Sequence, residues 1–265
     1  MKSTLIIGCG ALGQNAINHY PKSMTIHAVS RSPATSLDAP HVTWYGLDMS
    51  HETFLSDHHT IKKLLFLSRW VNFWLPPSCE NYLPILRSFL HHFGSEHHLT
   101  FISSTSVFGN NAREIYEQTS TDPQTNNAKI LVEAEQLIQK TVKHYHIIRL
   151  AGLLDEKRHP VYSLSKQAEL KDPEMSVNLI HSEDAVLFAY HLAHHPKLKK
   201  QNIVTNLASY THLPKAIFYQ RSATQKNLPF PDQDNQLNLS RSSRIIHSEF
   251  LWPKYKYQLK HLHVE

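Results

Sequence analysis

With 265 residues, 41% of them hydrophobic and 18% charged, the chain has the makeup of a folded protein that can bury one sizeable core with a smaller lobe on its edge. The formal net charge of +5 comes from scattered lysines and arginines, and the densest run, Lys197 to Lys200, follows a helix-like segment where cations suit the C-terminal dipole, so no nucleic-acid partner is expected. Cys9 and Cys79 are too few and too far apart for a disulfide framework or a zinc site, and no apolar stretch reaches the length of a membrane span.

The opening MKSTLIIGCGALG reads as a buried strand broken by glycine rather than a secretion signal, so a cytoplasmic location is expected. Thr4–Ile7 is the strand, and Gln14–Tyr20 is an amphipathic helix ended by Pro21. Met24–Val29 is a second strand, Val42–Tyr45 a third and Lys63–Leu67 a fourth. Glu80–Phe93 carries apolar residues at helical spacing, and Leu99–Ile102 is a fifth strand running into Ser103–Ser106. A long helix over about 128–142 and a sixth strand, His146–Leu150, follow. Strands alternating with helices predict an α/β fold, a Rossmann-like doubly wound parallel sheet. From Asp155 the pattern turns to polar loops, with one helix at Asp184–His194 and one strand at Asn202–Asn206. Residues 1–155 are therefore the predicted nucleotide-binding core, and 156–265 a small C-terminal substrate lobe interleaved with the core's last helix and strand.

Gly8-Cys9-Gly10-Ala11-Leu12-Gly13 spells GxGxxG directly after a strand and at the opening of a helix, which is the context a dinucleotide site requires. Gly8 makes the tight turn, Gly10 lets the backbone approach a pyrophosphate, and Gly13 lets helix and strand pack closely. The helix N-terminus offers N–H groups and its dipole to the phosphates. At the end of the second strand, where an NAD site carries a carboxylate for the ribose, stands Ser30-Arg31-Ser32. Ser30 can hydrogen-bond a 2′-phosphate and Arg31 can neutralise it, so NADP(H) is expected ahead of NAD(H). Arg31 also reads as a solvated loop residue, and Asp48 as either an adenine contact or a turn aspartate. Trp70, Phe73 and Trp74 follow the expected fourth strand, either as a stacking platform for a ligand or as a packed loop. The 21 histidines include the pairs His58-His59, His91-His92, His97-His98 and His194-His195, expected at helix ends or in polar connections. Adjacent residues on a helix do not face each other, no HExxH occurs, and no metal site is expected.

Five segments, GCGALG at 8–13, SSTSVFG at 103–109, IIRLAGL at 147–153, RHP at 158–160 and VNLIHSEDA at 177–185, occur in an order that resembles the extended and atypical short-chain dehydrogenase/reductases of the NAD-dependent epimerase/dehydratase superfamily, and within them the YeeZ-like branch. The last 60 residues match only loosely, around Leu237–Arg244 and Phe250–Pro253. The resemblance implies a hydroxyl after the fifth strand, here Ser104, and a Tyr-x-x-x-Lys pair opening the next helix, the Tyr as general acid/base and the Lys lowering its pKa. Asn127 and Leu131 stand at those two positions, with Glu135 at the family's later glutamate. Asn cannot ionise and Leu carries no charge. Lys129 is displaced by two residues, and Tyr116 lies upstream in the loop.

Arg158 and His159 face a substrate cleft in the family pattern, or form a solvated loop pair, although Asp155-Glu156-Lys157 replaces a common Gly-Pro-Gly. Asn178, His181 and Asp184 sit in a strand-to-helix corner, where Ser182 or Asp184 is expected to cap the helix and His181 to be structural or catalytic. Two functions follow from the resemblance: a divergent oxidoreductase or epimerase acting on an unknown small molecule, with sugar nucleotides as one class, or a non-catalytic dinucleotide-binding sensor or scaffold. Homodimer formation through the helices flanking strands four and five is implied, with no membrane partner.

Overall fold

The computed structural model describes residues 3–32, 39–51, 57–109, 113–157, 159–233, 243–248 and 257–261. Arg158 and the segments 237–242 and 250–253 singled out above lie outside them. The strands in chain order are β1 (Ser3–Ile7), β2 (Thr25–Ser30), β3 (Val42–Gly46), β4 (Trp70–Phe73), β5 (His98–Ser104), β6 (Glu114–Ile115), β7 (Tyr145–Leu150), β8 (Gly152–Leu154), β9 (Glu169–Leu170), β10 (Leu179–His181), β11 (Ile203–Leu207), β12 (Asp232–Gln233) and β13 (Ile245–Ile246).

Seven strands form one sheet in the order β11-β7-β5-β4-β1-β2-β3. β1 runs parallel to β2 and to β4, with Leu5 level with His27 on one side and Val71 on the other. The pairs β2–β3 and β4–β5 are parallel as well. Leu5, Ile6 and Ile7 are fully buried, as expected of a parallel strand covered on both faces. The chain leaves β1 toward β2 and β3, then returns to place β4 on β1's other side. That reversal puts the carboxyl ends of β1 and β4 at the switch point where open α/β sheets bind ligands. The expected Rossmann-like fold is therefore present.

Lys63–Leu67 is not a strand. It is the C-terminal half of a helix, His58–Leu67, whose N-terminus is capped by the Asp57 carboxylate accepting from Thr60 N–H at 3.0 Å. Ile61, Leu64 and Leu65 are buried while Phe66 is 91% exposed, so the run is one face of a helix. The fourth strand is Trp70–Phe73, with all four residues buried. This removes the aromatic platform. Trp70 stacks on Tyr20 at 5.4 Å between ring centroids and donates Nε1–H to Thr100 Oγ1 at 2.9 Å. Phe73 packs edge-on to Phe89 and stacks on Phe101, and Trp74 is buried too.

Three histidine pairs lie at helix ends as expected, and one departs. His97 and His98 are both buried, and His98 opens β5 with its ring 4.3 Å from that of His146 in β7. Strand residues this deep pack as aromatic bodies, which doublets in a sequence do not announce.

Two compact units divide the chain. The first, Met1–Val107 with Pro123–Arg149 and Val186–Thr205, holds most of the sheet and the helices Ala11–His19, His58–Leu67, Tyr82–His91 and Asn126–Thr141. The second, Phe108–Asp122 with Leu150–Ala185 and Asn206–Glu265, contains three two-stranded parallel pairings, β8 with β10, β9 with β12 and β6 with β13. Its core has two apolar clusters, Leu154, Val177, Leu179 and Phe218 in one, and Leu164, Leu170 and Ala216 in the other. Among the described residues no helix is long and apolar enough to cross a membrane.

Candidate cofactor and catalytic site

The loop after β1 is built by its glycines. Gly8 has φ +80°, and a Cβ there would lie 2.7 Å from the backbone of Leu75 just beyond β4. Both the turn and the approach of the neighbouring strand therefore require glycine. Gly13 packs under Cys9 and Ile6, where a Cβ would meet Cys9 Sγ at 2.6 Å, so helix and strand sit at glycine distance. Gly10 is different: a Cβ on it would meet nothing within 4 Å. Gly10 is the N-cap of the helix Ala11–His19, with no side chain capping it and no acidic residue in its first turn. The result is an exposed backbone edge at a helix N-terminus with no acidic residue in its first turn, the electrostatic shape of a phosphate cradle.

At the end of β2, Ser30 Oγ donates to the Ser32 carbonyl at 3.2 Å, and Arg31 is exposed. Asp48 accepts from Ser50 Oγ at 2.6 Å and Ser50 N–H at 3.1 Å. Those bonds, with Arg31 as a nearby cation, hold the Asp48 carboxyl below its usual range. Asp48 is thus a turn aspartate that also faces Arg31.

The end of β5 presents two serines with different surroundings. Ser103 is buried and donates to Glu135 Oε1 at 2.6 Å. Glu135 in turn receives Arg149 Nη2 at 2.7 Å and Nε at 3.1 and 3.2 Å. This buried triad was not foreseen as a unit, although a lone Glu among Ala128, Leu131, Ala134 and Ile138 on a buried helix face, and a lone Arg in IIRL, were its signals. Ser104 is half-buried, and its Oγ accepts from Ser106 N–H at 3.1 Å, a local turn bond that leaves the hydroxyl proton to donate elsewhere.

The helix Asn126–Thr141 opens on Thr125, whose hydroxyl accepts from Ala128 N–H. Asn127 is exposed in its first turn, as is Lys129, whereas Leu131 is buried in the core. Tyr116, in the second unit, stacks on His247 with centroids 4.4 Å apart and planes 6° from parallel.

In the second unit His159 is buried, lies parallel to the Phe218 ring at 5.9 Å and accepts from Val161 N–H at 3.1 Å. Burial, with Lys226 nearby, pushes it down to about 4, so it is a neutral packing residue at pH 7. Asn178 bridges Arg244 O and Ile246 N–H at 2.8 and 2.9 Å. Ser182 and Asp184, the two expected caps, both fall inside the helix Ser182–His194, and it is His181 Nδ1 that accepts from Glu183 N–H at 3.3 Å; the Asp184 carboxylate takes Lys260 N–H at 2.7 Å and His261 N–H at 3.0 Å. The same unit contains a cavity of about 880 Å³ lined by Tyr210, His212, Leu213, Phe218, Arg221 and Thr224 among others, which no sequence motif marked.

The fold is that of solved epimerase and dehydratase structures. The chain is 33% identical to protein YeeZ of Escherichia coli K12 over 150 residues, 56% of this chain, so the match spans about half (53%) of that relative's length. It superposes on dTDP-glucose 4,6-dehydratase of Bacillus anthracis, solved in complex with NAD, with a TM-score of 0.76 at 13% identity over 98% of this chain and 92% of that one. UDP-N-acetylglucosamine 4-epimerase of Bacillus cereus gives 0.75 at 14% identity over 98% and 94%. No family model matches the sequence. The resemblance to the YeeZ-like proteins thus holds in sequence over 150 residues, and the epimerase/dehydratase fold over nearly the whole chain.

Proposed function

We propose that this chain binds a nicotinamide dinucleotide at the loop Gly8–Gly13, with NADP(H) preferred, and acts as a divergent oxidoreductase or epimerase. The observation that carries the reading is the pairing of two glycines locked by packing with a third, Gly10, that opens onto free space at an uncapped helix N-terminus. A pyrophosphate fits that cradle. Ala11, Leu12 and Gly13 would hold it through backbone N–H groups, Ser30 and Arg31 would take a 2′-phosphate, and Asp48 would keep Arg31 oriented. The bound group supplies hydride transfer. Ser104 would orient a substrate hydroxyl or carbonyl with its free O–H proton, and Ser103, held by Glu135, would fix the strand end beneath it. Sugar nucleotides are the substrate class to try first, because the dehydratase and the epimerase named above act on them.

The exposed Asn127 and buried Leu131 favour a second reading, in which the same loop serves a sensor or scaffold without proton chemistry. Calorimetric titration with NADPH and NADH, then turnover assays over a panel of sugar nucleotides and alcohols, tests both. Binding with turnover lost in Ser104→Ala at unchanged cofactor affinity supports the enzyme. Binding with no turnover, insensitive to Ser104, supports the sensor. Absence of binding to either nucleotide removes both.

A further inference from the structure

Among the described residues, one group of side chains with metal-ligand chemistry comes together. One ligand atom each from His181, Glu183 and His261 lie within 4.8 Å of one another. All three belong to the second unit, away from the glycine loop in the chain and independent of the dinucleotide reading. His181 ends β10, Glu183 lies in the first turn of the helix Ser182–His194, and His261 is on the C-terminal segment. The imidazoles face each other with centroids 3.8 Å apart, and His261 Nε2 meets Glu183 Oε2 at 3.0 Å.

Three features suit a cation here. The donors are two imidazoles and one carboxylate, a set matched to a d-block dication such as zinc rather than to oxygen-seeking calcium or magnesium. The third ligand is positioned in advance, because the buried Asp184 carboxylate binds the backbone N–H groups of Lys260 and His261. The charge also suits a cation: Asp155, Glu183 and Asp184 act on His181, and among the described residues Lys260 pairs with Glu183 Oε1. These carboxylates offset the unfavourable helix dipole that a cation meets at an N-terminus.

We propose that His181, Glu183 and His261 bind one zinc-class divalent cation, which fastens the segment Tyr257–His261 to the β10–helix corner. On binding, the proton that His261 Nε2 shares with Glu183 leaves to solvent or moves to Nδ1, the hydrogen bond gives way to two metal bonds, Lys260 keeps the other carboxylate oxygen, and a water completes a tetrahedral shell.

The full chain, stripped by a chelator and dialysed, is titrated with Zn²⁺ against a chromophoric chelator, since many histidines will bind zinc weakly. One equivalent binding at least tenfold tighter than the rest, lost in His261→Ala and Glu183→Gln but kept in the exposed control His59→Ala, is expected. His261→Ala changes a half-exposed tail residue, so its folding is secure, and circular dichroism checks Glu183→Gln. Co²⁺ should give ligand-field absorption in the native chain and in His59→Ala, and none in His261→Ala. Zinc binding of equal strength in the native chain and His261→Ala, or only weak multiple binding in both, overturns the site.

Discussion

The buried Ser103–Glu135–Arg149 triad makes a sharp claim about stability. Glu135 and Arg149 side chains are 4% and 8% exposed, joined by a fork of bonds between 2.7 and 3.2 Å. In so dry a place the attraction between the charges and the cost of desolvating them nearly cancel, so the pair adds little relative to apolar side chains. Removing one partner strands the other as an uncompensated buried charge, at about 3–5 kcal/mol. Glu135→Leu and Arg149→Met should each cost that much, which for a chain of this size lowers the melting temperature by roughly 6–20 °C. The double variant buries no charge. Its remaining loss is the orphaned Ser103 hydroxyl, about 1–3 kcal/mol. Urea unfolding followed by circular dichroism on the four proteins gives the cycle, and a coupling of about 3 kcal/mol or more is expected between the two sites. If the losses simply add, the ion pair is not the reason these residues are here, and the positioning of Ser103 by Glu135 loses its basis.

Gly8→Ala should cost at least about 2 kcal/mol through positive φ and the Leu75 backbone, whereas Gly10→Ala should leave stability within about 0.5 kcal/mol and weaken dinucleotide binding at least tenfold; thermal melts and calorimetry separate the two. Arg31→Ala should weaken NADPH by about 1.5–3 kcal/mol and leave NADH nearly unchanged, and equal losses for both nucleotides would defeat the role given to Arg31. Burial drives His98 from 6.5 down to about 4 and His146 to about 3, so both are neutral in the fold. The unfolded chain takes up their protons first as pH falls, so stability is intact above about pH 7 and is lost through the window from about 6.5 toward 4. At pH 5 that is about 2 kcal/mol for each imidazole, and His146→Leu should flatten the fall in melting temperature between pH 7.5 and 5.

What could be read from the sequence was local. The strand, glycine loop and helix at the start are encoded in consecutive residues, because tight turns and helix–strand contact each demand glycine at a fixed offset. The misread fourth strand shows the limit of the same method. Five apolar-rich residues, Lys63–Leu67, are too few to separate a strand from the buried face of a helix, and the true strand, Trp70–Phe73, has only four. Asp57 as an N-cap with Thr60 was the available clue. Ser103 lies 32 residues from Glu135, and His261 lies 78 residues from Glu183, so neither the triad Ser103–Glu135–Arg149 nor the cluster His181–Glu183–His261 could be assembled from local spacing, although His181 and Glu135 had each drawn notice singly.

The helix Asn126–Thr141 explains why cofactor chemistry and proton chemistry were unequally legible. Its buried face runs Ala128, Leu131, Ala134, Glu135 and Ile138, so position 131 is committed to the core in this chain. A lysine there would have to keep its ammonium out of an apolar contact surface or lose its charge, at a cost of several kcal/mol. Leu131 is therefore tied to packing, and Leu131→Lys should lower the stability of the fold. In the enzyme we propose, Ser104, with one of its two lone pairs taken by Ser106 N–H and its proton able to donate, is suited to orient a substrate. The glycine loop has no such competing demand at Gly10, where a Cβ would meet nothing within 4 Å, so the motif stays readable in the sequence while the proton chemistry of the proposed enzyme does not.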